Sequence, residues 1–244
     1  MIYNLYKQRG ETPLECIQRF AKSKLGLRGE KMTYLGRLDP MAEGVLLMAS
    51  GEDTSQEKRE EFFGLDKEYD FVSLFGFATD TYDILGRIMR VEKLDEINEM
   101  DLIKIADIYQ GERDQEYPKF SSPRIASPDA ELEKKKIKIH QMKFHKLETL
   151  KNKELFGRLL MDISKVKGDF RQNEILVLWD QYLRKLDSSH DHFIGNFSAH
   201  VSSGTYIRSI VNDIGNTLGC GATALSIKRT RVGDFKIEDS LRSF

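Results

Sequence analysis

Five consecutive apolar residues at positions 45–49 constrain the fold of this chain more than any other feature. A short, uninterrupted apolar run predicts a strand that is buried in the protein interior. Before it, Thr12, Pro13 and Glu15 suit the N-cap, the first position and the third position of a helix. The apolar face of that helix would consist of four residues at helical spacing, Leu14, Ile17, Phe20 and Ala21.

The rest of the chain alternates between helical and strand patterns. Helices are predicted over residues 53–63, 100–110 and 174–186 and after Thr205, and strands over residues 67–77, 86–91 and 193–201. The first two of these strands would pair as a hairpin, and residues 24–39 would form a loop. Strands separated by both hairpins and helices favour an α+β architecture. No stretch has the composition of a linker, so we expect a single domain over residues 1–244.

Residues 117–146 differ from the rest of the chain. They contain Pro118, Pro123 and Pro128, and residues 134–139 read KKKIKI. The alternation of lysine and isoleucine predicts a strand with one basic face. We therefore expect a protruding basic hairpin or loop, inserted over about residues 117–146.

The charged residues are unevenly distributed. The chain has 38 Lys and Arg against 39 Asp and Glu, and the resulting charge of −1 argues against a nucleic-acid partner. However, residues 1–40 have a net charge of +4 and residues 117–184 of +6, whereas residues 41–116 have −12. Basic faces beside an acidic one would suit a polyanion, although ordinary solvated faces would give the same counts.

The composition excludes several classes of protein. With 40% hydrophobic and 32% charged residues, the chain is globular rather than disordered, collagen-like or a coiled coil. Cys16 and Cys220 form no CxxC pair, which argues against a structural zinc site or a disulfide framework. No apolar run is long enough for a membrane span and no signal peptide is evident, so we expect a cytoplasmic protein without a membrane partner.

The most informative segment is GRLDPMAEGVL at residues 36–46, in which Asp39 lies between two glycines and directly before Pro40. Proline fixes its own φ and lacks a backbone donor, so the aspartate lies on a stiff corner of the chain. A carboxylate at such a corner can be presented to a ligand. It can equally satisfy the backbone of its own turn, and the segment alone does not separate the two interpretations.

This segment closely resembles the catalytic-aspartate motif of the TruB family of tRNA pseudouridine synthases. Two further motifs of that family follow in order, Lys67-Glu68-Tyr69 with the turn at residues 79–83, and SGTYIRSI at residues 203–210. Shorter similarities are found at Lys7, Gly10 and Thr12, at Gln115, Pro118, Phe120 and Ser121, and at Arg229, Gly233 and Phe235. The resemblance implies the pseudouridine synthase fold, with a mixed, largely antiparallel central sheet flanked by helices.

The resemblance also implies roles for individual residues. Asp39 would be the catalytic carboxylate, acting as a nucleophile or a base beside C1′ of the uridine. Tyr69 would support the flipped base, and Arg208 would hold Asp39 in place, with Asp83 as a second acidic partner. Tyr206 and Ile227 would flank the base. The isomerisation involves no redox step or phosphate transfer, so we expect neither a cofactor nor a metal.

The chain departs from the family pattern at several positions. Tyr34 occupies the place of a histidine that is usual in the family, and Arg37 resembles an arginine with which other pseudouridine synthases fill the gap left by the flipped base. The chain ends at Phe244, so we expect no C-terminal PUA domain. RNA would then be bound by basic residues of the catalytic domain, namely Lys22, Lys24, Arg28, Lys31 and the segment 134–146.

The resulting hypothesis is a monomeric tRNA pseudouridine synthase that modifies the T-loop uridine at position 55 and binds the T arm with modest, salt-sensitive affinity. Two alternatives remain open. One is a pseudouridine synthase for another RNA stem-loop, in rRNA or mRNA. The other is an RNA chaperone or binding protein whose catalysis is secondary or lost.

Overall fold

The apolar run at residues 45–49 forms the centre of a buried strand in a computed structural model that describes residues 1–27, 29–121 and 134–242. In chain order the strands are β1 (Ile2–Lys7), β2 (Met32–Leu35), β3 (Ala42–Ser50), β4 (Lys67–Phe75), β5 (Phe77–Thr79), β6 (Ile88–Val91), β7 (Gly111–Gln115), β8 (Lys135–Lys151), β9 (Asp191–Val201), β10 (Ala222–Val232) and β11 (Phe235–Lys236). The helices of the described residues are α1 (Pro13–Ser23), α2 (Gln56–Phe63), α3 (Glu99–Ile108), α4 (Asn152–Ser164), α5 (Gln172–Leu183) and α6 (Ile207–Thr217). None of these helices is both long and apolar enough to cross a membrane.

The central sheet has nine strands and confirms the α+β prediction. Its order is β1-β3-β10-β4-β9-β8-β7, with β2 paired to β3 and β11 to β10. All of these pairs are antiparallel except β3 and β10, which run parallel. β5 and β6 form a separate two-stranded sheet. The predicted hairpin between residues 67–77 and 86–91 is therefore present only at its turn end, where β6 pairs with β5 and not with β4.

Helices cover the sheet on both faces. Phe71 of β4 packs in a buried cluster with residues of α3 and α6, whereas Leu74 packs in another cluster with residues of α4 and α5. Trp179 of α5 is fully buried and donates its indole N–H to the carbonyl oxygen of Ile84. Neighbouring side chains of a strand point to opposite faces, so a stretch of strand that is covered on both faces has apolar residues at successive positions. In β3, Leu46 and Met48 pack in one cluster with residues of α1, whereas Val45 and Leu47 pack in another with Phe62 of α2, which explains its uninterrupted apolar run.

The predicted start of α1 is confirmed in detail. The Thr12 hydroxyl accepts from the amide of Glu15 at 3.2 Å, and the Glu15 carboxylate accepts from the amide of Thr12 at 2.8 Å. The predicted apolar face needs one correction, because Leu14 is 51% exposed while Cys16 is buried beside Ile17 and Phe20. The helix is rotated so that this cysteine faces β1 and β3.

Two segments differ from their predictions. Residues 24–39 are not only a loop, because they contain β2. The basic segment forms the second strand of an antiparallel hairpin with β7 over residues 135–139, but it continues beyond residue 146, because residues 139–151 pair with β9 in the central sheet. The predicted strand with one basic face is confirmed, because Ile137 and Ile139 are buried while Lys136 and Lys138 are exposed. Residues 122–133, with Pro123 and Pro128, lie outside the described residues.

Candidate active site

The loop that carries Asp39 connects β2 to β3 and is attached to the sheet by two buried cations. The Lys7 ammonium donates to the carbonyl oxygen of Ala42 at 2.6 Å and to that of Pro40 at 3.4 Å. On the other side of the loop, Arg229 donates from Nη1 to the carbonyl oxygen of Arg37 at 2.8 Å. Burial lowers the pKa of Lys7 to about 8. These contacts restrain the loop on both sides of the aspartate, at Arg37 and at Pro40.

Arg208, in the first turn of α6, binds the Asp39 carboxylate through two nitrogens. Its Nε donates to Oδ2 at 2.7 Å and its Nη2 to Oδ1 at 3.2 Å. The third nitrogen, Nη1, donates to the carbonyl oxygen of Thr81 at 2.6 Å. The Arg208 side chain is only 5% exposed, whereas that of Asp39 is 38% exposed. A planar guanidinium that is fixed on three sides therefore orients a carboxylate that solvent or a ligand can still reach.

Asp83 is a second carboxylate close to the same guanidinium. Its Oδ2 is 3.9 Å from Arg208 Nε, while its Oδ1 accepts from the Thr81 hydroxyl at 2.6 Å and from the Leu85 amide at 3.0 Å. Burial raises the pKa of Asp83, against the opposing effect of the Arg208 charge. Burial alone would lower the pKa of Arg208, but the charges of Asp39 and Asp83 raise it above its ordinary value. The sequence prediction of an arginine between two carboxylates agrees with this geometry.

A cleft of about 360 Å³ opens beside Asp39. Its size is within the range of small-molecule sites in proteins. Tyr69 of β4 and Ile227 of β10 are both buried and line it, together with Tyr206 at the start of α6. Burial raises the pKa of Tyr206, and the nearby Asp39 charge adds to the effect. The structure thus brings the carboxylate, two tyrosines and an aliphatic side chain to one cavity.

Gln115, at the end of β7, fixes the backbone of Tyr206. The Gln115 Oε1 accepts from the Tyr206 amide at 2.8 Å, and its Nε2 donates to the Tyr206 carbonyl oxygen at 3.1 Å. The sequence offers no local signal for this contact, because the two residues are 91 positions apart. Gln115 therefore determines where the Tyr206 ring enters the cleft.

Three further cations, Lys67, Arg229 and Lys135, line the cleft, and of these only Lys135 belongs to the basic segment predicted to bind RNA. Lys67 donates to Ser203 Oγ at 3.0 Å and to the carbonyl oxygen of Phe63 at 3.1 Å. Burial lowers the pKa of Lys67 to about 8, and the charges of Arg229 and Lys135 contribute in the same direction. Arg229 is 1% exposed, and its Nη2 has no hydrogen-bond partner among the described residues. Together with the exposed Arg37, these residues make one wall of the cleft positive.

The remaining predicted residues lie away from this cleft. Tyr34 packs against the core cluster beneath α1 instead of lining the cavity. Lys22, Lys24 and Lys31 are exposed and also outside the cavity lining. Arg28 falls outside the described residues. Within the part of the chain that is described, one group of side chains is close enough to hold a metal ion, and its members, Asp66, His140 and His200, do not line the cleft.

Comparison with known proteins identifies the family. The family model described as TruB family pseudouridylate synthase (N terminal domain) matches residues 22–169. The chain is 32% identical over 241 residues to tRNA pseudouridine synthase B of Thermotoga petrophila, and 30% identical over 246 residues to that of Thermosipho melanesiensis. These alignments cover 98% and 99% of this chain, which spans 65% and 66% of the length of the two relatives.

The fold has a counterpart among solved structures. A chain in the crystal structure of a Cbf5-Nop10-Gar1 complex superimposes with a TM-score of 0.62, covering 99% of this chain and 51% of that chain at 21% identity. A likeness at this identity concerns the fold alone. The match to the family model, by contrast, extends over more than half of the sequence and includes Asp39 and Tyr69. The chain therefore belongs to the TruB family of pseudouridylate synthases.

Proposed function

We propose that this protein is an RNA pseudouridine synthase in which Asp39 is the catalytic carboxylate. The observation that carries the proposal is the position of Asp39, held through both oxygens by a buried arginine and still 38% exposed beside a cavity. A group that acts on the sugar of a flipped nucleotide needs both properties. It must be fixed in orientation before the substrate arrives, and it must be reachable.

The reaction rearranges one nucleotide without changing its composition. The bond between C1′ and N1 of uridine breaks, the base turns, and a bond between C1′ and C5 forms. N1 gains a proton and C5 loses one. Asp39 would act at C1′ while the base is detached, either by bonding to the sugar or by removing a proton from it.

Tyr69 and Ile227 would form the site of the detached base. Both are buried side chains on neighbouring strands of the sheet, and both line the cavity. An aromatic ring and an aliphatic side chain provide apolar surfaces on which a base can be held after it leaves its stack. The Tyr69 hydroxyl would also assist removal of the proton from C5.

The positive wall of the cleft would attract the RNA backbone. Arg37 is exposed at its rim, and Lys67, Arg229 and Lys135 lie further inside. Such cations favour binding of phosphates in a manner that weakens with salt. We infer that the substrate is the T arm of tRNA, with the T-loop uridine in the cavity. Support for tRNA comes from the names of the curated relatives.

The proposal is tested with an unmodified tRNA transcript that carries tritium at C5 of its uridines. Wild-type protein is expected to release tritium, and Asp39→Asn is expected to release none above background while binding the transcript with unchanged affinity. Asp70→Asn serves as a matched control, because Asp70 is exposed on the same strand as Tyr69 and does not line the cleft. Turnover by Asp39→Asn at the wild-type rate would contradict the assignment.

The substrate is tested separately with a transcript in which the T-loop uridine is replaced by cytidine. If that uridine is the target, this transcript is expected to release one equivalent of tritium less than the unsubstituted transcript. Unchanged release from this transcript would show that another uridine is modified. It would leave the pseudouridine synthase activity intact and favour a different RNA stem-loop.

A further inference from the structure

Two histidines and an aspartate meet on the surface of the sheet, outside the cleft lining. Nε2 of His140 lies 3.1 Å from Asp66 Oδ2, and Nε2 of His200 lies 3.7 Å from the same oxygen. The two imidazole rings are 4.6 Å apart between centroids. Each of the three residues offers a ligand atom within 4.8 Å of the others.

The sheet itself creates this cluster. His140 is on β8 and His200 is on the adjacent β9, and Asp66 directly precedes β4, which is the next strand of the sheet. The β8–β9 register shifts between Ile139, which pairs with Val201, and Gln141, which pairs with His200, so that His140 is the extra residue of a bulge. A bulge of this kind changes the direction of a side chain locally. It brings the second imidazole to the carboxylate.

We propose that Asp66, His140 and His200 form a binding site for a first-row divalent cation, with Zn²⁺ as the best fit. Two imidazoles and one carboxylate are a common ligand set for zinc, which binds them in tetrahedral geometry. Ligand atoms about 2.0–2.1 Å from a tetrahedral ion are about 3.3 Å from one another. The two distances to the Asp66 oxygen, 3.1 and 3.7 Å, bracket this value, and all three ligand atoms lie within 4.8 Å of one another, so side-chain rotations could bring them around one ion.

The exposure of the three side chains leaves room for the remaining ligand. Asp66 is 43% exposed, His200 31% and His140 28%, so water can occupy the fourth position. The nearby Arg231 forms its ion pair with Glu68, at 2.6 Å, and so leaves the Asp66 carboxylate available to an ion. Oxygen-preferring ions such as Mg²⁺ would be disfavoured by two nitrogen ligands.

The position of the site suggests what the ion would stabilise. Asp66 immediately precedes Lys67, and the turn at residues 202–205 follows His200 by two residues. An ion bound here would join the connection between α2 and β4 to strands β8 and β9. These are the segments that carry Lys67, Lys135 and Ser203 into the cleft. The ion would thus stabilise one wall of the cleft without touching the substrate.

The proposal is tested by titrating chelator-treated protein of residues 1–244 with ZnCl₂ in a calorimeter. One equivalent of Zn²⁺ is expected to bind to the wild type. His140→Gln and His200→Gln are each expected to weaken this binding at least ~10-fold, because each removes a direct ligand. His145→Gln is the matched control, since His145 is on the same strand and contacts Ser198 Oγ at 2.8 Å. It should leave the affinity unchanged.

Thermal unfolding provides a second measurement on the same proteins. Zn²⁺ should raise the midpoint for the wild type and for His145→Gln, but not for His200→Gln, because a ligand that binds only the folded state stabilises it. Absence of a one-equivalent binding event in the wild type would overturn the proposal. Equal affinity in His140→Gln and the wild type would do the same. Neither result would bear on the isomerase activity proposed for Asp39.

Discussion

Arg208 contacts both carboxylate oxygens of Asp39 from a guanidinium that is itself almost completely buried. Three of its N–H groups are directed to fixed acceptors, two on Asp39 and one on the Thr81 backbone. The orientation of the aspartate therefore depends on the planar shape of arginine as well as on its charge.

Replacing Arg208 by lysine separates these two properties. Lysine keeps the positive charge but presents a single ammonium, so it cannot hold both oxygens in one plane. We expect kcat to fall about 100-fold, with little change in KM, because misplacement of a reacting group by about 1 Å has effects of this size. Arg231→Lys is the control, since Arg231 forms a comparable 2.6 Å ion pair with Glu68 outside the cleft lining. Equal activity of the two variants would remove the positioning role of Arg208.

Tyr69→Phe tests whether the cleft uses the tyrosine ring or its hydroxyl. The ring is buried and lines the cleft, and phenylalanine preserves its shape. We expect the variant to bind RNA normally and to lose turnover by about 100-fold, the usual scale of a proton-transfer contribution. Electrophoretic mobility shift and tritium release measure the two quantities. Full activity would show that only the ring is needed, and weakened binding would point to a structural role.

Much of the fold could be predicted from local sequence signals. The α1 capping box, the apolar run of β3 and the helix that follows Thr205 each depend on residues within one element. The pairing of β8 with β9 was not predicted for a physical reason, since the paired residues of β9 are about 50 positions later in the chain. α4 (Asn152–Ser164) was not predicted, although Leu155, Leu159 and Ile163 are buried at helical spacing.

In the candidate site, too, some residues could be predicted from short sequence motifs, whereas others are brought together only by the fold. Asp39, Tyr69 and Arg208 were predicted because the family motifs contain them, and the geometry brings Asp39 and Arg208 into contact. Gln115 acts on Tyr206, and Lys135 lies beside Gly204, only because distant segments meet in the fold. No spacing within one segment could reveal such pairs. Tyr34 was predicted near the RNA because it occupies the place of a histidine usual in the family, but it packs against the core cluster beneath α1.

Gly44→Ala tests the close approach of β3 to β10. Gly44 has φ +110, and a Cβ at this position would lie 2.9 Å from the backbone nitrogen of Arg229 and closer still to its carbonyl oxygen. The parallel pairing of Gly44 with Arg229 leaves no space for a side chain. We expect a loss of about 3 kcal/mol in the free energy of unfolding, from backbone strain and overlap together.

Gly157→Ala is the matched control for this substitution. Gly157 lies within α4, and a Cβ there would meet nothing within 4 Å. Alanine in the interior of a helix should therefore stabilise the protein, by about 0.5–1 kcal/mol. Urea unfolding measures both variants. A Gly44→Ala protein as stable as the wild type would contradict the described pairing of β3 with β10.

Lys67 should make the stability of the protein depend on pH in the alkaline range. Burial lowers its pKa from 10.5 to about 8 in the folded state. Between these two values the unfolded chain binds more protons than the folded one, so the free energy of unfolding should increase as pH rises from 8 towards 10.5. A shift of one pKa unit corresponds to about 1.4 kcal/mol, so the Lys67 contribution to this increase is about 3 kcal/mol at most.

Urea unfolding of the wild type and of Lys67→Met near pH 7 and near pH 10 measures this contribution. The increase should be smaller in Lys67→Met, whereas Lys143→Met, which removes an exposed lysine of β8, should run parallel to the wild type. Parallel behaviour of Lys67→Met and the wild type would show that Lys67 does not titrate in this range.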